Sequence, residues 1–107
     1  MDFINQIVGD EISEVKEFLK TSLLSICDSK KQIQNDIKQK NFDQLAKSFH
    51  KIKGTLLYLD LNKMADQAQK LQNSALHKEE NAILKGEAFI YEINDLIQVI
   101  EEKISSI

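Results

Sequence analysis

Three residues near the middle of the chain have types and a spacing that suit phosphoryl transfer. His50 is followed three and four residues later by Lys53 and Gly54, within the stretch SFHKIKGTLLYLD at residues 48–60. A neutral imidazole is a nucleophile that attacks phosphorus without a separate base. A lysine beside it stabilises the negative charge on the oxygens of a transferring phosphoryl group. The pattern predicts His50 as a phosphoryl acceptor and Lys53 as its electrostatic helper.

Gly54 is the unusual member of this group, because glycine inside a helix costs about 1 kcal/mol relative to alanine. The apolar stripe of the surrounding helix passes Gly54 without a change of phase, so the glycine lies within the helix. On a helical wheel, the neighbours of the His50 direction are Ala46, Lys53, Gly54 and Leu57. We infer that Gly54 clears space beside His50 and that Ala46 and Leu57 belong to a partner-binding surface around it.

Four segments with apolar residues at spacings of three and four predict four amphipathic helices. Their stripes run from Ile12 to Ile37, Phe42 to Leu59, Leu61 to Ala75 and Ile83 to Ile104. Asp10 and Asn41 are the predicted N-caps of the first two helices, with Gln44 as the capping-box partner of Asn41. Asp60 or Asn62 is the predicted N-cap of the third.

These helices and their short connections predict an all-α fold, an antiparallel up-down four-helix bundle. The absence of proline and the presence of only three glycines support this fold class. A length of 107 residues suits a single domain over residues 1–107. A short lead-in helix is expected to cover one end of the bundle, with the apolar residues Phe3, Ile4, Ile7 and Val8.

Composition excludes several other classes of function. The net charge is −3 with both signs interspersed, which disfavours nucleic-acid binding. The N-terminus lacks the pattern of a signal peptide, and no run of about 18 apolar residues could cross a bilayer, so we expect a cytoplasmic protein without a membrane partner. The single cysteine, Cys27, cannot form an internal disulfide and is expected to be a buried or half-buried side chain without a redox role.

The stretch LAKSFHKIKGTLLYLDLNKMADQAQKLQ resembles the central motif of histidine phosphotransfer (HPt) domains of two-component phosphorelays. The upstream segment VKEFLKTSLLSICDSKKQIQNDIKQKNFDQLAKSFH is similar to the long helix and connection that precede this motif, so the resemblance covers most of the chain. It implies that His50 is the phosphorylated histidine, and that Lys53 and Gly54 are the motif lysine and glycine. The implied apolar framework is Leu59, Met64 and Leu71.

The chain departs from the family pattern at several positions after the histidine. Small residues are usual two turns later, and this chain has Leu57 and Tyr58 there. A glycine is frequent at the tenth position after the histidine, which is Asp60 here. The acidic residue that often ends the motif is Gln72. These departures concern the choice of partner more than the chemistry of His50.

The resemblance implies a phosphorelay carrier, in which His50 takes a phosphoryl group from the aspartyl phosphate of a receiver domain and passes it to another receiver. The implied partners are response-regulator receiver domains and a hybrid sensor histidine kinase. The receiver would supply Mg²⁺, and we expect this chain to hold no cofactor and no metal. The chain has no glycine-rich nucleotide loop and no kinase motifs, which predicts a carrier without ATP-dependent kinase activity.

Other interpretations remain open at this point. A non-phosphorylated helical interaction module could bind or sequester a signalling partner through the surface around Leu57 and Tyr58. Acid-labile phosphate on His50 would separate the two hypotheses. An enzyme with its own turnover is disfavoured, because no paired acid and base or metal cluster is visible. His77 lies in a polar connection, is expected to be inert, and does not have the spacing to form a metal pair with His50.

Overall fold

The computed structural model describes the backbone of residues 2–107 and the side chains of residues 12–107. The described chain is all-helical, with no β-strand among these residues, so the predicted all-α class is confirmed. The helices are α1 (Asp2–Gln39), α2 (Phe42–Tyr58), α3 (Asn62–Leu76) and α4 (Asn81–Ser106). Short connections join them at residues 40–41, 59–61 and 77–80.

Helix α1 is longer than the sequence analysis predicted. Its backbone is helical from Asp2 onward, so Asp10 lies inside the helix and is not an N-cap. The segment predicted as a separate lead-in helix is therefore the first part of α1. The physical reason is that Gly9 costs a helix only about 1 kcal/mol, which is too little to end it where no proline is present. The side chains of Phe3, Ile4, Ile7 and Val8 lie outside the described residues.

The apolar stripes of the four helices meet in one core, except at the start of the α1 stripe, where Ile12 and Val15 are 45% and 48% exposed. Its members with no exposed area include Ile26, Ile33, Leu45, Phe49, Ile52, Leu56 and Ile93. The ring of Phe49 packs edge-to-face against Phe89, with ring centroids 6.3 Å apart and an interplanar angle of 71°. Burial of each such side chain stabilises the fold by about 1.5–3 kcal/mol. Because Phe49 points into the core, its neighbour His50 is rotated by about 100° toward the surface.

A buried carboxylate attaches α1 to α2. Asp36, which is 1% exposed, accepts hydrogen bonds from Ser48 Oγ at 2.6 Å and from Gln32 Nε2 at 2.8 Å. Farther along the two helices, the hydroxyl oxygens of Ser25 and Thr55 share a hydrogen bond of 2.9 Å. These two contacts hold α2 at one rotation about its axis. They thereby decide which of its residues face the surface.

The first three helices end in the same kind of turn. The residue after each helix or its cap has a positive φ, with 51° at Lys40, 60° at Asp60 and 55° at Lys78. After α2, Asp60 N–H donates to the Leu57 carbonyl and Leu61 N–H donates to the Leu56 carbonyl, which is the Schellman pattern. Glycine is the residue that adopts this backbone conformation without steric cost. Asp60 therefore adopts this conformation although it carries a side chain, at the position where the resemblance expects glycine.

The predicted helix starts have different outcomes. The Asn41 side chain accepts a hydrogen bond from Gln44 N–H at 3.2 Å, which confirms the N-cap of α2. The N-cap predicted for α3 is wrong, because Leu61 occupies that position and makes no side-chain capping bond. The left-handed backbone of Asp60 moves the helix start beyond it and makes Asn62 the first residue of α3.

Candidate phosphoacceptor site

His50 is exposed on the outer side of α2, while Phe49 immediately before it has no exposed area. The imidazole lines an open groove between α2 and α3. The other residues of this His50 groove are Asp43, Ala46, Lys47, Gln72 and Leu76. The place of His50 next to Phe49 accounts for its exposure, because adjacent residues on a helix point about 100° apart. A group entering from solvent reaches the ring without a change in the fold.

Lys53, one turn after His50, is half-buried and tied to α3. Its Nζ donates a hydrogen bond to Gln69 Oε1 at 2.5 Å, and Gln69 Nε2 in turn donates to Asn73 Oδ1 at 3.0 Å. Long lysine side chains are usually mobile, and such a bond restricts the ammonium group to the α2–α3 side of the bundle. The ordered position of the charge depends on Gln69, which the sequence analysis did not single out.

Gly54 lies on the open surface of α2. A Cβ atom built at this position would have no heavy atom within 4 Å. The packing of the chain on itself therefore does not require a glycine here. A side chain at this position would enter open space, and the role of that space beside His50 stays a prediction.

Ala46 and Leu57, the two residues predicted to bind a partner, differ in exposure. Ala46 is 3% exposed and contributes to the lining of the His50 groove. Leu57 is 49% exposed and is followed by Tyr58, which is 80% exposed. A partner placed over His50 would therefore contact much more of Leu57 than of Ala46. Apolar side chains of this size at the surface suit a protein interface.

A sequence model of the Hpt domain matches residues 17–103, which include the whole of α2 and α3. The chain belongs to the Hpt domain family. No curated protein and no solved structure matches the chain. Hpt domains are helical bundles that carry phosphoryl groups on histidine in phosphorelays, where they interact with receiver domains and histidine kinases, and they are not kinases themselves.

Within this Hpt domain, Gln72, which the sequence analysis noted only as a departure from the family pattern, lies in the candidate site. It lines the His50 groove, and its Oε1 is buried without a hydrogen-bond partner among the described residues. An unpaired buried acceptor costs about 1–3 kcal/mol, so a donor that reached this oxygen would remove that cost. Gln72 and His50 line the same groove only because α3 packs on α2, which the local sequence around Gln72 does not reveal.

The second histidine of the Hpt domain has different surroundings. His77 is exposed in the connection after α3, and its Nδ1 lies 2.7 Å from the carbonyl oxygen of Asn73. Cys27 is half-buried, as expected. The described side chains contain no group of three or more histidine, cysteine, aspartate or glutamate residues placed to hold a metal ion. No helix in the described part of the chain is long and apolar enough to cross a membrane.

Proposed function

We propose that this Hpt domain is a phosphorelay carrier in which His50 accepts a phosphoryl group from one receiver domain and passes it to another. The observation that carries the proposal is the exposed imidazole of His50 in an open groove, one helical turn from an ordered lysine. Both lie in a chain of the Hpt family. The rigid helix presents the nucleophile in one orientation, and such positioning lowers the barrier to transfer.

The transfer step exchanges one bond to phosphorus for another. The lone pair of the unprotonated imidazole nitrogen attacks the phosphorus of the receiver's aspartyl phosphate, and a nitrogen–phosphorus bond forms. The oxygen–phosphorus bond breaks, and its electron pair leaves with the aspartate carboxylate. The reverse step moves the phosphoryl group to the aspartate of a second receiver. The receiver would hold the Mg²⁺ that neutralises the phosphoryl oxygens, so this chain needs no metal of its own.

The neighbours of His50 take separate roles in this proposal. Lys53 places a positive charge near the phosphoryl oxygens, and Gly54 leaves space for the receiver backbone or for the phosphoryl group. Leu57 and the small exposed part of Ala46 contribute contacts to the receiver. Gln72 Oε1 would accept a hydrogen bond from the N–H of His50, which selects one tautomer and leaves the other nitrogen free to attack.

The proposal includes the arrangement of the whole chain. We propose one domain over residues 1–107 in antiparallel up-down order. The order is supported by contacts that pair Asp36 late in α1 with Ser48 early in α2, and Ser25 with Thr55 late in α2. We place the domain in the cytoplasm, with response-regulator receivers and a hybrid sensor histidine kinase as its partners.

A second candidate function is a helical interaction module that is never phosphorylated. The exposed Leu57 and Tyr58 favour it, because an apolar surface of this kind also suits a partner that is only bound or sequestered. The two candidates differ in one observable, which is the presence of phosphate on His50. The test below separates them.

The deciding experiment supplies receiver domains phosphorylated with labelled acetyl phosphate and Mg²⁺. We expect label on the Hpt domain that is acid-labile and base-stable, lost in His50→Gln and retained in His77→Gln. Circular dichroism should show the same helix content in all three proteins, because the exposed His50 contributes little to the core. Label that persists in His50→Gln, or its absence from the wild type with every competent receiver, would favour the interaction module.

A further inference from the structure

A second groove lies between α1 and α2 and adjoins the His50 groove. Three lysines line it, Lys31 on α1 and Lys47 and Lys51 on α2. Lys47 lines both grooves, so the two form one continuous surface. We call this second groove the lysine groove.

The lysine groove is positively charged in a chain whose net charge is −3. Its three lysines stand against one aspartate in the lining, Asp28. Among the described residues, none of these three lysines forms an ion pair. The ion pair that the described residues do contain lies outside the groove and joins Lys20 to Glu17. Their charge is therefore available to a partner. By contrast, α4 carries five acidic residues and two lysines, whereas α2, which carries His50, has three lysines and one aspartate.

A buried hydroxyl provides an independent indication of a ligand. Ser29 lines the lysine groove and is 1% exposed, and its Oγ has no hydrogen-bond partner among residues 12–107, whose side chains are described. Buried polar groups are nearly always paired in folded proteins, so an unpaired donor beside three cations suits an anionic group that the isolated chain does not supply. The carboxylates of an acidic protein segment meet this description, since each accepts hydrogen bonds and carries negative charge.

We propose that the lysine groove docks an acidic surface segment of the receiver domain that exchanges phosphate with His50, an inference that rests on the function proposed above. A protein interface of standard size covers about 800 Å² on each partner. Lys47 and Lys51 lie within one turn of His50 on the same helix, so a receiver centred on His50 covers them. Complementary charge at the lysine groove would raise the rate at which the receiver associates with the Hpt domain and would select among receivers.

The test measures binding separately from transfer. In a His50→Gln background, which cannot carry phosphate, the affinity for receiver domains is measured by titration calorimetry at low and high salt. Receivers are chosen in two groups, with an acidic or a basic surface beside the phosphorylated aspartate. The variant Lys47→Glu, Lys51→Glu reverses the charge of the groove. The matched control, Lys70→Glu, Lys85→Glu, makes the same change in net charge in the groove between α3 and α4.

We expect the wild-type groove to favour acidic receivers. Reversal at Lys47 and Lys51 should weaken their binding by about tenfold or more at low salt, with a smaller effect at high salt, while the control pair stays near wild type. Equal effects of the two pairs, no effect of either, or a preference for basic receivers would overturn the inference. Weak binding of receivers combined with tight, salt-sensitive binding of a DNA oligonucleotide would overturn it as well, in favour of a polyanion site.

The experiments distinguish a failure of docking from a failure of the phosphorelay. If receivers bind through the lysine groove but never phosphorylate His50 in the wild type, the docking inference stands and the carrier function fails. If His50 is phosphorylated and the reversed lysine pair binds and accepts phosphate normally, the carrier function stands and the docking inference fails.

Discussion

Two glycines of this bundle lie in opposite surroundings. Gly54 on α2 is exposed, and a Cβ atom there would meet nothing within 4 Å. Gly86 on α4 is buried, and a Cβ atom there would lie 3.1 Å from Ile37 Cδ1 and 3.3 Å from Phe49 Cζ. The fold explains Gly86, because α4 packs closely against α1 and α2 at that point. It does not explain Gly54, which costs its helix about 1 kcal/mol. Because packing within the chain does not require Gly54, its cost in helix propensity indicates a role in contacts with a partner beside His50.

The same substitution at the two glycines should separate function from stability. We expect Gly54→Leu to lower the rate of phosphoryl transfer from a receiver by about a hundredfold, because the side chain fills the space that the receiver needs beside His50. Its free energy of unfolding should rise by about 0.5–1 kcal/mol through better helix propensity. Transfer assays and urea denaturation measure the two effects. Gly54→Ala is the control for propensity, and normal transfer in Gly54→Leu would contradict this explanation of the glycine.

Gly86→Leu should have the reverse effect. The added atoms would collide with Ile37 and Phe49, and overpacking of this kind lowers the free energy of unfolding by about 1–3 kcal/mol. Transfer per folded molecule should stay near wild type, since Gly86 lies in the core and not at the His50 groove. Denaturation curves and transfer rates corrected for the folded fraction test this. A protein as stable as the wild type would show that the α1–α4 contact is looser than described.

The variant Lys53→Ala tests whether phosphoryl transfer at the exposed site also depends on charge. We expect transfer to slow by about tenfold, or about 1.4 kcal/mol in the barrier, with His50 still the phosphorylated residue. Lys53→Arg keeps the charge and should retain most of the rate, while Lys70→Ala controls for the loss of a lysine elsewhere. Rates are measured under single-turnover conditions with a phosphorylated receiver. An unchanged rate in Lys53→Ala would mean that its contact with Gln69 serves only to join α2 and α3.

The smallest effect is expected at Asp60, where the backbone conformation favours glycine. With φ at 60°, Asp60→Gly relieves steric cost but increases the entropy of the unfolded chain. We expect a net gain of up to about 1 kcal/mol in the free energy of unfolding, and no change in transfer from a receiver. Chemical denaturation measures the gain. A clear loss of stability would indicate that the Asp60 side chain contributes more to the turn than its backbone conformation costs.

Much of the fold could be predicted from local patterns. The apolar spacing located four helices and most of the buried side of each, although Ile12 and Val15 of the α1 stripe are exposed. Asn41 was correctly expected to cap α2. The start of α1 was wrong, because Gly9 and Asp10 resemble a helix boundary but impose too small a cost to create one. The start of α3 was wrong, because the left-handed turn at Asp60 follows from the way the chain leaves α2.

The sequence by itself determined that His50 sits at the edge of a buried stripe, because a residue next to Phe49 on a helix must lie about 100° from the core direction. Only the tertiary structure decided what surrounds it. The bond from Lys53 to Gln69, the unpaired oxygen of Gln72 and the close approach at Gly86 each join different helices. Periodicity fixes which face of a helix is buried, whereas these contacts depend on how two helices are rotated and shifted against each other. That register is set by packing across the whole core.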